Sequence, residues 1–328
     1  MMTKLILAQP IYDQLIQHGS ITATVHSVFN LACNLQSHLG LISLLTKPKK
    51  MNPCAILLPQ EVNFKLLVIG SKVELRCINN TDIDPVLSPS SVIEANIDNL
   101  ILHINLGTDA TIVSEQVECF SPSLSAALPI TPSLQSRLQS HIAHFLQRNQ
   151  KPLGIYPLLC LHTQFNITTH LVYQPEIMAE YITPHLQRFI ADLVLQNSAI
   201  ELRSIIGFGA GLTPSMDDLL VGLLSWLDFS QHAYFCPLAQ AVKDNAAQTT
   251  DVSKAMLLHA TSKQYNEEII ELYACLNKPH NPDAALNAAL DVVIAYGHSS
   301  GHDTLCGIYL GLILFGYVPI GVVDKAAY

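Results

Sequence analysis

The chain has 328 residues, a formal net charge of −9, and a composition that is 49% hydrophobic and only 13% charged. These values exclude an intrinsically disordered protein. The basic residues form no cluster longer than Lys47–Lys50, which excludes the cationic footprint that nucleic acid requires.

The beginning of the chain and its cysteines indicate a cytoplasmic protein. The apolar run Leu5–Ala8 is too short for a secretory signal. The eight cysteines occur singly, without a C-x-x-C pair, which argues against a zinc knuckle and against a compact disulfide framework. The apolar run Cys306–Val323 approaches the length of a membrane span, but Pro319 and several glycines interrupt it. We therefore predict a buried helix there and no membrane partner.

The first part of the chain predicts short β-strands, and the length predicts two domains. Apolar runs lie between about Ile21 and Glu118, for example Phe64–Ile69 and Leu100–Ile104, and turn residues separate them. We therefore predict a β-rich N-terminal domain over residues 1–125.

The rest of the chain predicts helices. Thr131-Pro132 and Thr183-Pro184 each place a capping hydroxyl before a proline at the first helical position. Asn281-Pro282 opens a helix over Asp283–Tyr296 in the same manner, and some extended chain is expected near Leu153–Tyr173. We predict a mainly helical domain over residues 126–328, so the predicted fold class is α+β.

Two glycine-bearing loops carry the strongest functional signal. The first loop begins at Gly207, and its G-x-G-x-G spacing through Gly209 and Gly211 matches neither the dinucleotide-binding fingerprint nor a P-loop. No nucleotide cofactor is therefore predicted. A glycine-rich turn before a helix still lets backbone N–H groups approach an anion, and the helix dipole favours negative charge there. The polar side chains of this loop are Thr213, Ser215, Asp217 and Asp218.

The second loop, Gly297–Asp303, repeats part of this pattern. Ser300-x-x-Asp303-x-Leu-x-Gly307 aligns with Ser215-x-x-Asp218-x-Leu-x-Gly222, so the two loops share one sequence motif. The other polar or glycine residues of the second loop are His298, Ser299, Gly301 and His302.

The shared S-x-x-D pattern has two interpretations. In the structural one it is a capping box, in which the serine and the acid bind the free N–H groups of their own helix. In the functional one, the surplus polar groups, such as Asp217 beside Asp218 and the histidines around Ser300, form a site at two buried helix starts. Such a site suits a phosphate or a carboxylate.

Cationic and metal-binding groups near the loops are few. Arg203 precedes the first loop and can clamp a phosphate or carboxylate, or form a surface salt bridge. His141 and His144 have metal-ligand spacing on a helix, but no third ligand is identifiable, so no metal site is predicted.

Three signatures resemble the AllH-like family, which is named for one subunit of bacterial oxamate carbamoyltransferase. They are Gly207-x-Gly-x-Gly-Leu-Thr-Pro-Ser-x-Asp-Asp218, Thr249-Thr250-x-x-Ser253 and Gly297-His-Ser-Ser-Gly-x-Asp-x-Leu-x-Gly307, in this order. The resemblance covers about residues 200–311. Met216 and Ser262-Lys263 stand where the family usually shows glycine.

The resemblance implies a transferase subunit that acts with other carbamoyltransferase subunits in allantoin catabolism. The reaction moves a carbamoyl group between carbamoyl phosphate and the nitrogen of oxamate, forming or cleaving oxalurate. Both ligands are small anions, which suit helix N-termini. Two alternatives stay open: a non-catalytic partner subunit or anion-binding module, and a purely structural role in which both loops are helix caps.

On this basis we hypothesise roles for the site residues. Backbone N–H groups around Gly209 and Gly211, or at Ser299–Gly301, hold the phosphate or carboxylate. His298 moves a proton, and the aspartates of both loops orient it or bind a divalent cation. The other residues assigned to anion binding are Arg203, Gly207, Thr213, Ser215 and Ser300.

Overall fold

The structure is a computed structural model that describes residues 5–59, 61–79, 96–97, 100–105, 117–125, 131–149, 154–162, 177–278 and 283–316. The chain forms two compact units, Met1–Ser123 and Leu124–Tyr328. The first unit holds the strands and the second holds all but one of the described α-helices. The predicted α+β fold class, with the β-rich part first, is confirmed.

The described part of the first unit contains one mixed β-sheet. Its strands lie in the order β7-β8-β6-β2-β3-β4-β5-β1-β9. Neighbours pair antiparallel except β4 with β5 and β1 with β9, which are parallel. Helix α1 (Gln9–His18) contributes Ile11 and Leu15 to the core of this unit. The strands are β1 Leu5–Ala8, β2 Ser20–Val28, β3 Ala32–Ser37, β4 Gly40–Leu45, β5 Ala55–Leu57, β6 Lys72–Asn79, β7 Asn96–Ile97, β8 Leu100–Asn105 and β9 Val117–Phe120.

One of the two example strands was predicted correctly. Leu100–Ile104 lies within β8, but the predicted strand Phe64–Ile69 is wrong. A short 3-10 helix covers Phe64–Leu66, because the side chain of Asn63 accepts a hydrogen bond from the N–H of Lys65 and turns the chain. An apolar run alone therefore did not make a strand here.

The second unit is built from helices around a single large core. That core contains Trp226 together with buried side chains from all nine of its described helices. No helix among the described residues is long and apolar enough to cross a membrane. The helices are α2 Pro132–Arg148, α3 Tyr156–His162, α4 Ile177–Val194, α5 Ser215–Phe229, α6 Phe235–Asn245, α7 Asp251–Thr261, α8 Glu267–Leu276, α9 Asp283–Ile294 and α10 Ser300–Leu314.

The proline signals predicted one helix start correctly and one wrongly. Thr131 caps α2, where its side chain accepts a hydrogen bond from the N–H of Leu134. Pro184, however, lies inside α4 and does not open a helix. The buried stripe of Ile182, Leu186, Phe189 and Leu193 continues across this proline, so tertiary packing outweighs the local stop signal.

The other predictions for this unit have mixed outcomes. The extended chain expected near Leu153–Tyr173 is wrong at residues 156–162, which form α3, and residues 163–176 lie outside the described chain. Asn281-Pro282 also lies outside it, and α9 is described from Asp283 onward. The end of the apolar run Cys306–Val323 lies outside it as well, and the described part forms most of α10.

Helices α5 and α10 cross closely in the core. A Cβ atom on Gly222 would collide with the backbone carbonyl of Thr304, and one on Gly307 would collide with that of Leu219. The contact is reciprocal. On each helix the glycine packs against the residue that directly follows the S-x-x-D aspartate of the other helix. This crossing brings the two loops that precede the helices to the same end of the pair.

Candidate functional site

The first loop turns sharply at its three glycines. Gly207, Gly209 and Gly211 have φ angles of +83°, +128° and +95°, which lie in the region that favours glycine. A Cβ atom on Gly209 would also collide with the backbone nitrogen of Ser215. The loop therefore folds back onto the first turn of α5, and the glycines are needed for that path.

Asp217 ties the first loop to α7. Its Oδ1 accepts a hydrogen bond of 2.8 Å from the N–H of Gly207, and its Oδ2 accepts hydrogen bonds from the hydroxyls of Thr249 and Ser253. Burial raises the pKa of Asp217, and these three donors act in the opposite direction. Thr250 adds a hydrogen bond to the carbonyl of Leu212. Thr249, Thr250 and Ser253, which form the second of the three family signatures, thus hold the first loop in place.

Two amides of the first loop are open to a ligand. Met216 donates its N–H to the carbonyl of Phe208. One of the N–H groups that have no partner within the helix therefore already has an acceptor in the loop. In the part of the chain that the structure describes, the N–H groups of Gly209 and Gly211 have no acceptor. Gly209 is half-buried and Gly211 is exposed, so both amides are candidates for binding an anion.

The capping-box interpretation of the S-x-x-D pattern is wrong. Neither α5 nor α10 has a side-chain hydrogen bond at its own cap. Each serine instead interacts with the aspartate of the other helix: Ser300 lowers the pKa of Asp218, and Ser215 lowers the pKa of Asp303. The pattern therefore joins the two helix starts to each other.

Asp218 and Asp303 form a buried pair of carboxyl groups. They are 2% and 0% exposed, and each has one carboxyl oxygen without a hydrogen-bond partner. Burial, with a smaller contribution from the charge of Asp303, raises the pKa of Asp218 well above its ordinary value. Burial also raises the pKa of Asp303 to about 7. Both carboxyl groups therefore titrate at higher pH than exposed aspartates do.

Two hydroxyl groups lie beside Asp218. The hydroxyl oxygens of Thr213 and Ser300 lie 2.8 Å apart, and both interact with the Asp218 carboxyl and lower its pKa, against the larger effect of burial. Thr213 is half-buried, so this network extends from the first loop to the buried acid.

The surroundings of Asp303 include groups that sequence reasoning missed. Its Oδ1 accepts a hydrogen bond of 2.8 Å from the N–H of Ile155, and a Cβ atom on Gly154 would lie 2.6 Å from the same oxygen. Ser299, which is half-buried, also interacts with Asp303 and lowers its pKa. Gly154 had no signature in the sequence, because its partner is far along the chain.

Tyr296 is a second residue that the sequence did not identify as part of the site. Burial raises the pKa of its hydroxyl, and the charges of Asp218 and Glu268 raise it further. Asn266 donates a hydrogen bond to it. Tyr296 directly precedes the second loop, and this position was its one signal in the sequence.

Several other predicted site residues are exposed, or their polar groups are already bound within the fold. His298 and Arg203 are exposed, and the N–H of Gly301 donates to the carbonyl of Tyr296, so it is not open to a ligand. His302 is fully buried, with its ring edge against Tyr156 at a centroid distance of 5.5 Å and Nε2 3.4 Å from the carbonyl oxygen of Leu146.

The two departures from the family pattern lie in the first turn of α5 and just after the end of α7. The Met216 side chain is fully buried in the helical core. Lys263 has a φ of +62°, which explains why glycine is usual near this position. Its ammonium group lies 2.8 Å from Asp228 and 4.9 Å from the ring centroid of Phe235, two contacts that offset the backbone strain.

The site is rich in acids and hydroxyls. Within the described ranges, no group of three or more His, Cys, Asp or Glu residues could hold a metal ion. The residues that hydrogen-bond to the three aspartates, as far as the structure describes them, include no Lys or Arg. Positive charge for an anionic ligand must therefore come from the helix starts, from more distant side chains or from another chain.

Two family profiles match the chain and confirm the resemblance. The profile described as oxamate carbamoyltransferase subunit AllH matches residues 205–312, which contain both loops. The profile described as the AllH family N-terminal domain matches residues 4–86. No solved structure matches the chain. Because the two matches together cover more than half of the sequence, the chain belongs to the AllH family, whose name designates a subunit of oxamate carbamoyltransferase.

Proposed function

We propose that this chain binds carbamoyl phosphate and oxamate, or oxalurate and phosphate in the reverse direction, as a subunit of a carbamoyltransferase. The observation that carries the proposal is the contact of 2.8 Å between Thr213 and Ser300, which joins the two loops beside the buried carboxyl pair. Small anionic substrates suit such a meeting point of two helix starts.

The phosphate of carbamoyl phosphate is assigned to the first loop. The N–H groups of Gly209 and Gly211 are open, and α5 directs the positive end of its dipole toward the loop. Fixed amide donors stabilise negative charge that develops on a leaving phosphate. Asp217 acts here as a positioning residue, because three donors already occupy its carboxylate.

The proton of the reaction is assigned to the carboxyl pair. When the nitrogen of oxamate bonds to the carbamoyl carbon, the bond from that carbon to the phosphate oxygen breaks and the nitrogen releases one proton. A base with a pKa close to the working pH accepts such a proton best. The pKa of Asp303 is about 7, and half-buried Ser299 interacts with it. Thr213 connects the first loop to Asp218 in the same manner.

The test is carbamoyl transfer by the complex reconstituted from this chain and its partner subunits. Asp218→Asn and Thr213→Val are expected to lower kcat by about 100-fold or more, the range for loss of a general acid or base. Asp192→Asn is a matched control, because Asp192 is also a buried carboxyl with an unpartnered oxygen but lies on α4, outside both loops. Full activity of assembled Asp218→Asn would overturn the assignment.

A second candidate function is a non-catalytic subunit that binds the anion and presents it to another chain. The lack of Lys and Arg among the described hydrogen-bond partners of the three aspartates favours this candidate. Calorimetric titration of the isolated chain with carbamoyl phosphate separates the two. Binding that Asp218→Asn retains, together with full turnover in the complex, supports the non-catalytic subunit.

A further inference from the structure

A cationic groove lies on α2, away from the two loops. Arg137, His141, His144 and Arg148 follow one another at positions i, i+4, i+7 and i+11 of the helix, so they form one stripe. The stripe is roughly 16 Å long at the α-helical rise per residue. It borders a cavity of about 560 Å³ that Asn287 of α9 also lines. That volume is typical of a site for one small molecule.

Fixed contacts shape the walls of this groove. His141 Nε2 lies 2.9 Å from the side-chain oxygen of Asn287, which orients the imidazole. His144 Nδ1 lies 2.7 Å from the carbonyl of Ser140, which leaves its Nε2 on the other side of the ring. At one end, Arg137 bridges to Asp283 of α9 at 2.7 Å. Helices α2 and α9 are therefore linked by the contact between His141 and Asn287 and by the ion pair between Arg137 and Asp283.

The charge of the groove is opposite to that of the chain. The net charge of the chain is −9, yet none of the described residues that line the groove is acidic. Asp283 pairs with Arg137, and the guanidinium of Arg148 lies 5.8 Å from the ring centroid of Phe145. The planar guanidinium of arginine presents donors that fit a carboxylate or a phosphate.

We propose that this groove binds a small organic anion, with Arg148 and the Nε2–H of a protonated His144 holding its carboxylate or phosphate group. The site is separate from the two loops and does not depend on the function proposed for them. An organic ion is favoured over an inorganic one because the groove is larger than a single phosphate.

Calorimetric titration of the full chain with phenyl phosphate, benzoate and neutral benzamide tests the proposal. At least one of the two anions is expected to bind saturably, and at least tenfold more tightly than benzamide. Tighter binding of phenyl phosphate assigns the group to phosphate, and tighter binding of benzoate assigns it to carboxylate. Equal binding of benzoate and benzamide, in the absence of phenyl phosphate binding, overturns the proposal.

Substitutions locate the anion. Arg148→Gln is expected to weaken binding about tenfold or more, since it removes a charge-assisted hydrogen bond. Arg188→Gln, an exposed arginine on α4, is the matched control and is expected to leave the affinity unchanged. His144→Gln is expected to weaken binding by a smaller factor. An affinity that Arg148→Gln does not change, in a variant with unaltered melting temperature, places the anion elsewhere and overturns the proposal.

Discussion

The starts of α5 and α10 share one sequence pattern but differ in their surroundings. Both place a serine against the aspartate of the other helix, and both approach the partner helix through a glycine. The first loop, however, has three glycines at positive φ and an aspartate bound by α7, whereas the second has one such glycine and places His302 in the core. The shared residues thus join the two helix starts, and the residues that differ give the first loop its sharply turned path.

The largest expected effect is the pH dependence of stability that the two aspartates cause. The pKa of Asp303 is raised to about 7, while an unfolded aspartic acid titrates near about 3.9. The folded state therefore holds the proton more tightly, and its stabilisation is complete below the unfolded pKa and is lost as the pH rises through about 7. Relative to Asp303→Asn, the wild-type chain is expected to lose about 1.4 kcal/mol of stability for each tenfold difference in proton affinity between the folded and unfolded states.

Urea unfolding at a series of pH values between about 4 and 8.5 measures this difference. The pKa of Asp218 is raised well above its ordinary value, with the charge of Asp303 contributing. The difference between wild type and Asp218→Asn is therefore also expected to grow as the pH rises. Parallel pH profiles for wild type and Asp303→Asn would show that the carboxyl group is ionised throughout.

The next effect tests the reciprocal crossing. Gly222→Ala and Gly307→Ala each place a Cβ atom against a backbone carbonyl of the other helix. Because backbone cannot move aside easily, each is expected to destabilise the protein by about 3 kcal/mol. Equal losses of unfolding free energy would support the reciprocal contact between the two helices. A loss below about 0.5 kcal/mol for either variant would contradict the close contact, since surface substitutions give changes of that size.

The sequence predicted the order of the two parts of the fold and located the two loops, because these depend on local patterns. The S-x-x-D pattern is typical of a cap within one helix, but its serines and aspartates interact between helices that are far apart in sequence. Gly154 and Ile155 were missed for the same reason. The prediction that Pro184 opens a helix is wrong because a local signal cannot show which side chains become buried.

A smaller effect separates the positioning role of Asp217 from the carboxyl pair. Asp217→Asn exchanges one acceptor oxygen for an NH₂ group among three donors, so we expect a loss of about 2 kcal/mol in unfolding free energy. Asp244→Asn, at an exposed carboxylate that accepts one bond from Gln240, is the control and should change stability by less than about 0.5 kcal/mol. If Asp217→Asn lowered turnover without any change in stability, Asp217 would take part in the reaction directly.

The smallest effect concerns the open amides of the first loop. Gly211 has a φ of +95° and no atom within 4 Å of a built Cβ, so Gly211→Ala meets backbone strain but no collision. We expect a loss of about 1 kcal/mol in stability and weaker binding of carbamoyl phosphate, because the strained residue redirects its N–H. Gly19→Ala is the matched control, since Gly19 also has a positive φ of +75° and open space but lies at the end of α1. Equal stability losses with weaker binding only in Gly211→Ala would assign the anion to the first loop, whereas unchanged binding in both variants would remove this amide from the site.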